Sequence, residues 1–154
     1  MKKRVMAMLL ALALCVTGVF YQGYEAKAED MGEDMDYSYL LAENTLVGFI
    51  QSQTRGVYLV EGNSFINKQS STKIGAGGTT SAAYRCKVSV TSIVERQVNG
   101  SWVHVTSWTS TNESGYSAMV SKSLTVSTGY YYRVRSLHYA ASDASSSWTN
   151  ALSM

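Results

Sequence analysis

A chain of 154 residues with 13 basic and 11 acidic side chains carries a formal charge of +2, with two cysteines and no proline. That length allows one domain with a proper core. So few bases argue against a nucleic-acid binder, and so few cysteines exclude a disulfide-built scaffold.

Met1 to Ala28 reads as a secretory signal peptide: Lys2, Lys3 and Arg4, an apolar run from Val5 to Phe20, then Ala26-Lys27-Ala28 as the small-x-small cleavage pattern. Cleavage between Ala28 and Glu29 sends the rest of the chain, residues 29–154, outside the cell. The alternatives are a retained membrane anchor and a lipid anchor at Cys15. The apolar run spans 16 residues, short of the ~20 a spanning helix needs. Leu14 precedes Cys15 and Val16 follows it, the wrong surroundings for lipidation. Removing Lys2, Lys3, Arg4, Lys27 and Glu25 leaves 9 basic and 10 acidic residues, a net charge of −1. No second apolar span follows, so no membrane span is expected after cleavage.

Residues 29–45 read as a flexible acidic segment. Glu29, Asp30, Glu33, Asp34, Asp36 and Glu43 are unopposed by any base before residue 44, a composition that keeps a terminus solvated or lays it against the basic remainder. Residues 46–154 are read as the folded domain. Across 40–51, Leu40, Leu41, Leu46, Val47, Phe49 and Ile50 make a mixed apolar stretch that fits either a short helix or a first strand. From Gly56 onward Ser, Thr, Val and Tyr dominate, and strands are expected near 57–61, 64–69, 72–80, 84–98, 101–109, 116–126, 130–140 and 147–153. Gly75, Gly77 and Gly78 point to a bulge or a close backbone approach in the third.

Asn99-Gly100 between two β-rich runs is a type I′ hairpin signal. A two-residue loop there pairs Val98 with Ser101, Arg96 with Val103, Glu95 with His104, Val94 with Val105 and Thr91 with Trp108. Alternation then puts Cys86, Val88, Val90, Val94, Val98, Val103 and Val105 on the core face. Trp102, His104 and Trp108 fall on the other face with Thr91, Ile93, Glu95 and Gln97. In the run 130–140, Tyr130, Tyr132 and Val134 alternate inward, and Tyr131, Arg133, Arg135 and Tyr139 outward.

Leu124-Thr-Val-Ser-Thr-Gly129-Tyr130-Tyr-Tyr132-Arg-Val134 resembles the E–F corner of fibronectin type III domains, although the usual prolines and the strand-B tryptophan are missing. The resemblance implies an all-β sandwich of immunoglobulin or fibronectin type III type, with the Tyr130 hydroxyl locking the corner. It also implies that strand 130–140 lies beside 84–98, in one sheet with 101–109. Trp102, His104, Trp108, Tyr131, Arg133, Arg135 and Tyr139 would then share one exposed face. The whole chain also resembles small exported bacterial proteins of unknown function, through Gly56-Val-Tyr-Leu, Ile93–Trp108 and Gly129–Ala140.

Catalysis finds little support. His104 and His138 are the only histidines, no metal-ligand spacing is present, and no cofactor motif appears. The register sends Cys86 and His104 to opposite faces, which rules out a dyad. The expectation is a non-enzymatic binding module at or outside the cell envelope, with a glycan or an envelope protein as ligand. A small secreted hydrolase, or an inhibitor of one, is the alternative.

Overall fold

The computed structural model describes residues 44–50 and 56–154. The signal peptide and the acidic segment as far as residue 43 lie outside the described residues. Among the described residues every regular element is a strand: β1 (Leu46–Phe49), β2 (Leu59–Ser70), β3 (Lys73–Val98), β4 (Ser101–Thr125), β5 (Tyr131–Ala140), β6 (Asp143–Trp148) and β7 (Leu152–Ser153). The fold is all-β, and within the open stretch 40–51 the residues Leu46–Phe49 form a strand, while 40–43 and 51 lie outside the described residues.

Several expected breaks are absent. Runs 57–61 and 64–69 merge in β2, 72–80 and 84–98 in β3, and 101–109 and 116–126 in β4. Gly62, in the gap between the expected runs 57–61 and 64–69, sits inside β2, where there is no space for a side chain. A Cβ there would lie 2.5 Å from His138 Cγ. The glycines of β3 behave likewise. Pairing runs unbroken through 75–78 without a bulge, and a Cβ on Gly78 would lie 2.5 Å from Ser136 Oγ. One large irregularity divides β3, where Ala82–Arg85 are accommodated between the pairs Ser81–Ser117 and Cys86–Gly115.

All strand pairs are antiparallel. The order is β1-β2-β3-β5-β6, with β4 also on β3 and β7 on β5. The 26-residue β3 serves both halves of the molecule. Its first part lies between β2 and the end of β4, and its second part between the start of β4 and β5. Because β3 and β4 run through without ending, the strands form one continuous sheet where two separate sheets were expected. The sheet curls toward closure like a barrel. Ser64 on β2 bonds Ser147 on β6, and β1 meets β6 so closely that Gly48 has no room for a Cβ beside the Trp148 carbonyl.

Two apolar clusters fill the interior. One contains Ile66, Ile74, Val94, Tyr132 and Val134; the other contains Leu59, Val88, Val90, Val120 and Ala140. Trp108 packs against both. Cys86 is half-buried against the second cluster and free. The E–F corner forms with a different tyrosine from the one expected. Tyr132 donates its hydroxyl to the Ser127 carbonyl at 3.0 Å, while Tyr130 stays partly exposed under Arg96, whose Cζ lies 4.5 Å from the ring centre. Tyr130 precedes β5 and pairs its backbone with Met154, so its ring lies at the end of the core and not inside it.

Candidate functional site

The hairpin at Asn99-Gly100 has both residues at positive φ, 50° and 82°, as a type I′ turn requires. The pairs Val98–Ser101, Arg96–Val103 and Glu95–His104 form as expected. The register then shifts by one, and Val94 faces Thr106 and Ser92 faces Trp108. His104 and Val105 together oppose Glu95, a β-bulge. From Thr106 to Asn112 the β4 side chains take the opposite face. Trp108 therefore turns inward to the core, correcting its placement on the exposed face. Val105 and Val103, expected in the core, are both exposed: Val105 is the extra residue of the bulge, and Val103 lies opposite Arg96 near the hairpin tip, beyond Val94, the last core valine of β3.

The other expected residues do share the outer face of β3, β4 and β5. Gln97 neighbours Trp102, Glu95 lies between His104 and Arg133, Ile93 faces Arg135, and Ser89 faces Tyr139. Arg135 in turn pairs with Trp148 of β6, a residue the sequence reading did not select. The exposed rings are Tyr131 at 52%, Tyr139 at 45% and Trp148 at 40%. Trp102 is half-buried and His104 is exposed.

Glu95 forms the centre of this face. It points outward, yet neighbouring side chains cover it to 8% exposure. Arg133 Nε donates to Glu95 Oε2 at 2.7 Å, and the same guanidinium lies 4.3 Å above the Trp102 ring. This stacking fixes a charged group between an aromatic plane and a carboxylate. Arg135 Nε lies 3.4 Å from Glu95 Oε1, within ion-pair range, but makes no hydrogen bond. One carboxylate thus serves two guanidinium groups and fully engages only one of them. The other acid along these rows, Glu113, is occupied by Lys87 at 2.9 Å.

A second polar cluster crosses the interior between the two apolar clusters. Thr80 Oγ1 donates to the Ser89 carbonyl at 3.1 Å, so it accepts from His138 Nδ1 at 2.8 Å. His138 Nε2 then accepts from Ser147 Oγ at 2.8 Å, and the Ser64 hydroxyl points at Ser147. His138 and Ser147 are both 0% exposed, and burial pulls the imidazole pKa down from 6.5 to about 4. A serine beside a histidine superficially resembles a hydrolase pair. Here no carboxylate orients the ring and neither side chain meets solvent, so the network ties β2, β3, β5 and β6 together. Asp143 has a similar structural task at one end of the domain. Its Oδ2 accepts from Tyr58 N at 2.6 Å and Leu59 N at 3.0 Å. The Leu59 and Tyr58 N–H groups hold its carboxyl below the usual carboxylate range. Among the described residues, no three His, Cys, Asp or Glu side chains converge as a metal site would require.

A family profile described as "Family of unknown function (DUF6147)" matches residues 26–153, which spans every strand. The chain belongs to this family. No curated protein matches it. For this DUF6147 domain, the surface built on Glu95 and the two arginines is the best-organised exposed cluster.

Proposed function

We propose that the protein is an exported, non-enzymatic binding module whose ligand lies across the outer face of β3, β4, β5 and β6. One observation carries this reading: exposed Tyr131, Tyr139 and Trp148 share a face with the Glu95–Arg133–Arg135 network and the Trp102 platform. Aromatic rings at a wet surface, with polar groups fixed between them, suit ligand stacking. Export rests on the leader pattern, and the family match begins at residue 26, next to the Ala28–Glu29 junction.

The fold reading that accompanies this is a fibronectin type III-like strand order. β2, the first part of β3 and the end of β4 would stand for A, B and E. The start of β4, the second part of β3, β5 and β6 would stand for C′, C, F and G. The pairing order and the Tyr132–Ser127 corner support it.

Pull-down on purified envelope and polysaccharide preparations tests the reading. Tyr139→Ala and Trp148→Ala together should abolish retention while the melting temperature stays close to that of the parent. Retention unchanged in a folded double variant would overturn it.

A further inference from the structure

The outer face has the anatomy of a charge-reading surface. A protein–protein interface concentrates apolar side chains at its centre and leaves charge at the rim. Here the order is reversed. Glu95, Arg133 and Arg135 occupy the middle rows, and the exposed rings of Tyr131, Tyr139 and Trp148 lie around them. From the Gln97 row to the Ser89 row the face extends eight residues along β3, or about 26 Å, long enough for an extended polymer.

The charges on this face do not balance. Arg133 and Lys87 each have an acid at 2.7 Å and 2.9 Å. Arg135 has only the second oxygen of an already engaged carboxylate, at 3.4 Å from its buried Nε, while the side chain as a whole is 40% exposed and open to an anion from outside. A guanidinium is a planar fork of donors that matches a carboxylate in two-point contact. Glu95 shows that this site accepts a carboxylate between its arginines.

Resting on the outer-face reading above, we infer that the ligand is a carboxylate-bearing polysaccharide, a polyuronate. Its ionised groups pair with the exposed part of the Arg135 side chain, and its sugar rings stack on Trp148 and Tyr139. A phosphodiester polyol offers the charge without rings to stack, and a neutral glycan offers rings without a second anion for the two arginines that share Glu95.

Polygalacturonate, its fully methyl-esterified form and a neutral β-glucan are the probes, titrated against the full protein by calorimetry at low and high salt. The inference expects binding to polygalacturonate that weakens at least about tenfold on esterification and falls as salt screens the arginines. Arg135→Gln should weaken that binding by about tenfold and leave affinity for the esterified polymer unchanged. Its melting temperature should match the parent's, because the weaker ion pair is the one removed. Equal affinity for the charged and esterified polymers would overturn the inference and leave the outer-face reading standing. So would binding to the β-glucan alone. Undiminished polygalacturonate binding by Arg135→Gln and by the Tyr139→Ala/Trp148→Ala variant would overturn both. Absence of polygalacturonate binding would overturn the inference alone.

Discussion

Trp108→Ala and Trp102→Ala should have opposite consequences, although the two rings are six positions apart on the same strand. Trp108 packs against both apolar clusters, so removing it opens a void where they meet. Deleting a buried Phe or Trp costs about 3–5 kcal/mol. Trp108 is half-buried, which places it near the lower end, about 3 kcal/mol. For a domain spanning residues 46–154 each kcal/mol lowers the melting temperature by about 4 °C, giving a fall of about 12 °C. Trp102 contributes mainly its stack beneath Arg133, worth about 0.5–1 kcal/mol at an accessible site, or a few degrees. Thermal melts followed by circular dichroism measure both, with urea midpoints as an independent check. A larger loss for Trp102→Ala than for Trp108→Ala would mean that the His104–Val105 bulge does not exist and that the faces of β4 are assigned the wrong way round.

Two further outcomes concern stability. Unfolded, His138 takes up a proton near pH 6.5, but in the fold it does so only near pH 4. Above pH 6.5 its contribution is complete. As the pH falls through this window the unfolded chain binds a proton that the folded chain refuses, and about 3 kcal/mol of stability is lost by pH 4. Urea midpoints measured from pH 7 to 4 should decline steeply in the parent and much less in His138→Gln; equal slopes would contradict the burial argument. Tyr132→Phe should cost about 1 kcal/mol through loss of the Ser127 bond, whereas Tyr130→Phe should cost almost nothing, and comparable losses in chemical denaturation would place the corner on the wrong ring.

What could be read from the sequence was mostly local. Asn99-Gly100 carries its own conformational preference, so the hairpin and its first three pairs are visible in the residues themselves. Alternation in Tyr132-Arg-Val-Arg correctly separates the inward from the outward side chains of β5, which is why Arg133 and Arg135 were recognisable together. The bulge opposite Glu95 has no local signature. It reflects where Trp108 finds room between two clusters built mainly from β2, β3 and β5, and this long-range fit reversed the β4 side chains from Thr106 to Asn112. Trp148 was hidden for a different reason: Asp143-Ala-Ser-Ser-Ser-Trp has no hydrophobic alternation from which a face could be read, and only its pairing with Arg135 reveals the side. The merged strands follow the same logic, since Gly62 between two expected runs stays in the strand because His138 needs its space.

The central claim is that ligand binds the outer face, and chemical-shift mapping tests it most directly. Backbone amides of the protein should be followed while polygalacturonate is added. Perturbations confined to β3, β4, β5 and β6 around Glu95, Arg133, Arg135 and Trp148 would bear the account out. Perturbations centred instead on Tyr84 and Arg85, at the irregularity dividing β3, would contradict it.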